Sequence, residues 1–203
     1  MTKVSELITK VRILSQDQLA PYRHSDPELF GWLTDAERAV VILIPDSNTK
    51  LLEVTPVADQ TEQDISTLGH LLVDVISNKS TGKTVRRADM SSMDDFVPSW
   101  RVESAGPDPE SWITNPGSPT AFWLYPMPDA SVKLQVLIAQ TPVAITTPEQ
   151  TLTIAGVYDS ALLNYVLART FEVDNDLDSA MLHAQSFATE LGVTSQVIAD
   201  VKQ

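Results

Sequence analysis

Two residue patterns divide this chain and limit its fold more than any single motif. At both ends, apolar residues recur at the three- and four-residue spacing of an amphipathic helix. Between residues 50 and 142 this spacing is lost, and the segment holds nine of the 13 prolines and four of the seven glycines. Proline and glycine interrupt helices and favour turns. The two patterns predict helical ends joined through a β-rich middle.

The N-terminal pattern predicts two helices. The first starts near Val4 and ends near Gln16. The second starts at Ser25, because Ser25 and Glu28 match a capping box in which each side chain bonds the other residue's amide. It ends before Pro45. The predicted apolar faces carry Val4, Leu7, Ile8, Val11, Leu14, Leu29, Trp32, Leu33, Ala36, Val40 and Leu43.

The C-terminal pattern predicts a helical hairpin. A third helix follows Gly156 and ends near Phe171, and a fourth has Asp176 as its N-cap and Gly192 as its terminator. A short fifth helix is expected over residues 194–201. These helices carry no catalytic grouping, which favours a role in assembly over a role in turnover.

The middle segment predicts short strands, because β-branched and alternating runs lie between turn residues. These strands are expected over residues 51–55, 71–76, 84–87, 121–125 and 132–138. Residues 98–119 are expected to form a long loop that Trp100 and Trp112 anchor.

The predicted fold class is α+β and mainly helical. It is a bundle of four to five helices with a β-rich insertion between the second and third long helices. The expected parts are the N-terminal helices (1–48), the insertion (49–146) and the C-terminal helices (147–203), all within a single structural unit.

Composition excludes several classes of protein. A net charge of −13 with only 14 Lys and Arg residues argues against a surface that grips duplex DNA. The absence of cysteine removes disulfides, thiolate catalysis and cysteine-ligated metals. The longest apolar run, Ala39 to Ile44, is far shorter than the roughly 20 residues that span a bilayer. The N-terminal residues form an amphipathic stretch, so we expect neither a secretory signal nor a membrane span.

Motifs that suggest chemistry are incomplete. Residues 80–84 resemble a phosphate-binding loop, but Ser77 stands where that motif needs glycine. Asp174, Asp176 and Asp178 resemble the start of a calcium loop, but the turn glycine and the bidentate glutamate are missing. His24, His70 and His183 are isolated in the sequence. We therefore expect no enzyme activity, no cofactor and no catalytic or metal site.

Charge is distributed unevenly along the chain. Residues 77–101 carry five basic and three acidic groups, whereas residues 140–203 carry eight acidic and two basic groups. Opposite charges of this kind suit contacts with another subunit or protein, although a solvated hairpin is an equally simple interpretation. The candidate subunit interface comprises Lys79, Lys83, Arg86 and Arg87. At the acidic corner between the last two long helices, Arg169 is expected to pair with Asp174 and Asp176 because an unpaired buried charge is costly.

Residue motifs along nearly the whole chain carry a family resemblance. They are Val11-Arg12-Ile13-Leu14 with Asp17, Tyr22-Arg23-x-Ser25-Asp26-x-Glu28-Leu29-x-x-Trp32-Leu33-x-Asp35-Ala36, Val97-Pro98-x-Trp100, Pro119-x-x-Phe122-x-x-Tyr125-Pro126, Val136 to Pro142, Tyr158-x-x-Ala161-Leu162-x-x-Tyr165-Val166-Leu167-x-Arg169, Asp174 and Ala180-x-x-His183-x-x-x-Phe187. In this order they resemble the head–tail adaptor (connector or neck) proteins of tailed bacteriophages.

This resemblance implies a structural virion protein at the neck, assembled in the host cytoplasm. Copies would form a ring, usually of twelve, beneath the portal protein. The ring would extend the DNA channel and dock neck or tail proteins, and genomic DNA would pass through it without sequence-specific binding. An acidic channel wall would suit this passage, since attraction to phosphates slows DNA.

One alternative from another class stays open at this point. The chain could be a monomeric module that binds a ligand or carbohydrate through exposed Trp100, Trp112 and Trp123. Such aromatic residues more often belong to a core or anchor a loop. The two interpretations differ in whether these side chains are exposed.

Overall fold

The computed structural model describes residues 2–192. Within this range the chain is α+β, with five α-helices and two sheets of three and four strands. The helices are α1 (Val4–Leu14), α2 (Asp26–Leu43), α3 (Met90–Phe96), α4 (Asp159–Val173) and α5 (Leu177–Glu190). The strands are β1 (Thr49–Val54), β2 (Glu62–Asp64), β3 (Leu71–Asn78), β4 (Arg86–Arg87), β5 (Ser111–Thr114), β6 (Ala121–Tyr125) and β7 (Leu134–Ala139). The helix predicted at 194–201 lies outside the described residues.

The chain divides into two compact units. The helical unit comprises residues 1–48 and 142–203, and the β unit comprises residues 49–141. Residues 142–146 belong to the helical unit.

The core of the helical unit lies where α1, α2 and α4 meet. Leu7, Leu33, Val40, Leu162 and Val166 are each 0–1% exposed. Fully burying side chains of this size contributes roughly 1.5–3 kcal/mol each. The start of α2 follows the predicted capping box, since the Glu28 carboxylate accepts hydrogen bonds from the amide and the hydroxyl of Ser25, both at 2.8 Å.

An extended segment, residues 142–155, crosses the helical core and is tied to it by polar contacts. The hydroxyl oxygen of Thr34 on α2 accepts a hydrogen bond from the amide of Ile145 at 3.0 Å. Further along α2, Glu37 is fully buried, and its Oε1 accepts the amides of Thr153 at 2.6 Å and Ile154 at 3.1 Å. Burial raises the pKa of Glu37, and these two amides only partly oppose the rise. Three amides of the segment are thus paired with side chains of α2.

The β unit contains two sheets around one apolar cluster. The three-stranded sheet has the antiparallel order β1-β7-β3, and the four-stranded sheet has the order β2-β6-β5-β4, in which β4 runs parallel to β5. Alternate residues of β7, namely Leu134, Val136 and Ile138, are buried in this cluster. Gly69 lies against β7, where a Cβ atom would stand 2.3 Å from Cγ2 of Ile138. Only glycine fits that approach without displacement.

The structure corrects several sequence expectations in the β unit. Strand β6 has the predicted bounds, but the strand expected at 84–87 is reduced to Arg86–Arg87. The region 98–119 is not a single loop, because it contains β5 and a short 3-10 helix at Trp100–Val102. Strand β2 and helix α3 were also missed. The residues Glu62-Gln63-Asp64 offer no apolar alternation, and α3 buries no side chain, so neither element carries a periodic signal.

Candidate assembly interfaces

Helix α5 is amphipathic, yet none of its residues is buried. Its inner side contacts α4: the ring of Phe187 meets that of Tyr165 edge-on at 5.2 Å, and His183 stacks on Phe171 at 5.5 Å. On the outer side, large apolar residues are 59–63% exposed. This outer face consists of Leu177, Met181 and Leu182. A single copy of the chain therefore leaves most of this face in water.

A polar ladder fixes α5 on α4. The Oε1 atom of Glu190 accepts from the hydroxyl of Ser160 at 2.8 Å and from Nδ2 of Asn164 at 3.0 Å. Asn164 then presents Oδ1 to Nδ1 of His183 at 2.9 Å, so Nδ1 carries the proton. Burial lowers the pKa of His183, which favours the neutral form of its ring. The hairpin is held on one side only, which presents the outer face in a fixed orientation.

A shallow apolar groove of about 410 Å³ runs between α4 and α5. Arg169 and Glu172 stand among its lining residues and pair with each other at 2.8 Å. The remaining lining residues are Tyr165, Ala168, Leu177, Ala180, Met181, Ala184 and Phe187. Its small alanine side chains leave room for a partner side chain to approach the helix backbones.

The acidic corner between α4 and α5 differs from the predicted arrangement. Arg169 pairs with Glu172 rather than with Asp174 or Asp176, because on one helical face Glu172 is its neighbour three residues on. Asp174 instead forms an ion pair with Nη1 of Arg23 at 2.9 Å and lies 3.4 Å from Nε2 of His24. Asp176 caps α5 as predicted, accepting the amide of Ser179 at 3.2 Å. The corner is thus joined to the loop between α1 and α2.

That loop, residues 15–25, is organised by the buried Arg12. Its guanidinium donates to Asp17 at 2.9 Å, to Asp26 at 2.5 Å and to the carbonyl of His24 at 3.1 Å. The Tyr22 ring covers the same guanidinium at 3.7 Å. A buried arginine with this many acceptors fixes the path of the loop.

Asp17 completes the network from the opposite side. Burial alone would raise its pKa, but the amides of Arg23 and His24 and the charge of Arg12 outweigh burial and lower it. From the sequence, Arg12, Asp17 and Arg23 belong only to the motifs of the family resemblance, and their role in this network was not predicted. Arg12 interrupts the apolar face of α1, and a charged residue at such a position indicates a buried polar network. Asp174, which joins this network through Arg23, lies far along the chain.

Exposed apolar side chains also flank this junction. Leu19 is 85% exposed, and Ile13, Leu14 and Tyr22 are 47–53% exposed. They surround Arg12, whose charge is already paired with Asp17 and Asp26. Such a surface suits a protein partner better than a small ligand.

The predicted basic cluster divides into two parts. Lys79 pairs with Glu53, which also accepts Lys133 at 3.1 Å, and Lys83 pairs with Asp108 at 2.8 Å. Arg86 and Arg87 form β4, the edge strand of the four-stranded sheet, and both are exposed. Within residues 2–192 neither arginine has a carboxylate at ion-pair distance, and Arg87 stands 5.4 Å from the Trp112 ring centroid. Among the described residues, the arginine half of the cluster is thus the half without an ion-pair partner.

Comparison with known families decides the class of this chain. A family model described as SU10 adaptor protein matches residues 2–202. The chain belongs to the SU10 adaptor protein family. It is a phage adaptor protein, and this family is a structural family. No curated protein sequence matches the chain.

The adaptor does not display its tryptophans as a recognition surface. Trp100 is 0% and Trp112 is 1% exposed, and Trp123 packs edge-on against Trp100 at 6.1 Å. Nε1 of Trp100 donates to Asp94 at 2.8 Å. The alternative of a ligand-binding module built on exposed tryptophans is therefore wrong.

The two motifs that resemble a phosphate-binding loop and a calcium loop occupy a turn and a helix start in the adaptor. Residues 80–84 form a turn with Gly82 at φ 74°, and strand β4 follows where a phosphate-binding loop needs a helix. Asp174 and Asp176 of the calcium-like run are engaged by Arg23 and by the start of α5. Among residues 2–192 there is no group of three or more histidine or acidic side chains arranged to hold a metal. No helix in the described range has the length and apolarity to cross a membrane.

Proposed function

We propose that this adaptor is a virion protein of the neck that forms a ring below the portal protein. The ring extends the DNA channel and docks neck or tail proteins. The observation that carries this proposal is α5, an amphipathic helix with no buried residue in a single copy. Family membership supplies the phage context. The ring would be dodecameric by the resemblance of the sequence to head–tail adaptors.

The contacts divide between two surfaces. The outer face of α5, with the exposed residues around the Arg12 junction, faces the portal protein. Burying Met181 and Leu182 there would contribute about 1–2 kcal/mol each, since each is some 60% exposed before binding. The basic cluster faces the neighbouring copy, and its Arg86 and Arg87 have no ion-pair partner among residues 2–192.

The test is native mass spectrometry of the adaptor alone and mixed with its portal protein. We expect a closed ring in the mixture, because the ring needs the portal as a template or as its final partner. Replacing Leu182→Ser should weaken portal binding about tenfold, which corresponds to the loss of one apolar contact. The matched control is Ile42→Ser, an equally apolar residue on α2 that is 72% exposed. A persistent monomer that ignores the portal would contradict the proposal.

The channel wall gives a second observable. With 27 acidic and 14 basic residues, the adaptor can line a channel with carboxylates, which do not hold phosphates. In a structure of the assembled neck we expect acidic side chains to predominate on the inner surface. A lumen lined by lysine and arginine would contradict this part of the proposal.

A further inference from the structure

Internal ion pairs leave few free cations on the β unit. Lys79, Lys83, Lys133 and Arg101 each have a carboxylate partner within the unit. In the described range, the adjacent cations without such a partner are Arg86 and Arg87 of β4. Two neighbouring arginines with unused donor forks form a site for carboxylates.

The position of β4 determines how a partner reaches these arginines. Successive side chains of a strand point to opposite faces, so Arg86 and Arg87 flank the edge of the sheet. The backbone of β4 pairs with β5 on one side. Beside Arg87 lies a shallow hollow of about 450 Å³, lined by Ala88, Asp89, Met90, Thr114 and Pro116. Asp89 is already engaged there, since it accepts the amide of Ser92 as the cap of α3.

The helical unit offers the complementary surface at the start of α5. Leu177 is 63% exposed and stands between two exposed aspartates, Asp176 and Asp178. Asp176 uses one oxygen to cap the helix, and Asp178 has no hydrogen-bond or ion-pair partner among residues 2–192. A leucine flanked by two carboxylates is complementary in charge and apolar character to a hollow beside Arg87 that has a second arginine next to it in the strand.

We propose that the β4 edge of one copy binds the Asp176–Leu177–Asp178 start of α5 in the next copy. Leu177 enters the hollow beside Arg87, and the two aspartates pair with Arg86 and Arg87. The contact joins the β4 edge of one copy to the start of α5 in another. The first copy therefore still has a free α5 start, and the second still has a free β4 edge. Repetition of such a head-to-tail contact closes a ring when the rotation permits. This inference rests on the proposed ring and names its lateral contact.

A second explanation of the arginines makes a different prediction. Charged residues on an edge strand can serve only to prevent pairing with other strands. In that case Arg87 would have no specific partner, and reversing the charge at position 178 could not compensate a reversal at position 87. Compensation is therefore the decisive measurement.

The first experiment is a charge swap in the adaptor mixed with its portal protein. Arg87→Asp and Asp178→Arg should each weaken ring formation at least about tenfold, and the double variant should restore it to within about threefold of the wild type. The control combines Asp178→Arg with Lys50→Asp, because Lys50 is an exposed cation on β1 and the net charge is the same. Restoration by the control as well, or no restoration by either, would overturn the proposal.

The second experiment uses the absence of cysteine in the chain. An arginine–aspartate pair separates the backbones too far for a disulfide, so Arg87→Cys and Asp178→Cys are joined with a short bismaleimide. A head-to-tail contact predicts a ladder of cross-linked species on a denaturing gel, up to the full ring. Dimers alone, or cross-links within one copy, would overturn the proposal.

Portal capture of the adaptor is measured in parallel with both experiments. A ring that forms on the portal but gives no ladder refutes only the lateral contact named here. If the wild type forms no ring in either sample, the proposed function fails together with the contact. Native mass spectrometry of the same samples separates these two results.

Discussion

Helices α2 and α5 are equally amphipathic and both pack on α4, yet their burial in a single copy differs. α2 buries eight of its 18 residues, whereas α5 buries none of its 14. The apolar period of a helix indicates that one face will be covered, but it does not indicate by what. In α2 the cover is the chain's own core, and in α5 we propose that it is another protein. Substitutions in the two helices should therefore separate folding from assembly.

The largest difference is expected for apolar truncation. Leu33 on α2 is fully buried, so Leu33→Ala should lower the free energy of unfolding by about 2–5 kcal/mol through lost transfer energy and a cavity. Leu182→Ala on α5 removes a side chain that is 62% exposed and should cost under about 0.5 kcal/mol. Urea unfolding followed by far-ultraviolet circular dichroism measures both. Equal losses would show that α5 is part of the cooperative core.

The next largest effect is expected where the loop joins α1 to α2. In Asp17→Asn an amide nitrogen must replace one of the oxygens that accept from Arg12, Arg23 and His24. A donor then faces a donor in a buried site, which should cost about 2–3 kcal/mol at neutral pH.

The pH dependence of this variant checks the cause. The pKa of Asp17 is lowered in the folded protein, so its ionised form stabilises the fold above the ordinary value of about 3.9. That contribution is lost as the pH falls through the lowered pKa. The gap between wild type and Asp17→Asn should therefore narrow in acid. The titration extends to about pH 2.5, well below the ordinary aspartate pKa. A stability difference between wild type and variant that stays constant over this range would contradict the ionic explanation.

The contrast between these residues shows how far sequence reasoning reached. The limits of α2 and α5 could be predicted because Ser25, Glu28, Asp176 and Gly192 act locally, through caps within a few residues. Strand β2 could not, since its neighbours in the sheet, not its own residues, create it. The ion pair between Arg23 and Asp174 joins opposite ends of the sequence, and no local pattern encodes such a distance. The predicted pairing of Arg169 was wrong for the opposite reason, because its partner Glu172 is a local neighbour three residues on along the same helix.

A smaller and local effect is expected at the ladder between α4 and α5. Asn164→Ala removes the contacts to Glu190 and to His183 at one position and should cost about 1 kcal/mol. Because α5 is covered only on the side of α4, the loss should open α5 locally rather than unfold the unit. Hydrogen exchange should rise in α5 and stay unchanged in α2. The control is Ser186→Ala, which removes only a hydroxyl that donates to the carbonyl of Leu182 within α5.

The smallest net effect at neutral pH is expected for Glu37→Gln, the polar counterpart of this comparison. α2 places Glu37 inside the core, where glutamine can keep the oxygen that accepts the amides of Thr153 and Ile154. Because burial raises the pKa of Glu37, ionisation costs stability as the pH rises through the raised value. Glutamine does not ionise, so the stability of Glu37→Gln relative to the wild type should increase from pH 5 to pH 8. This range lies above the ordinary glutamate pKa of about 4.3, where the upward shift of the Glu37 pKa takes effect. Denaturant titrations at both pH values measure this gain, and a loss instead would show that the carboxylate is stabilised by its surroundings.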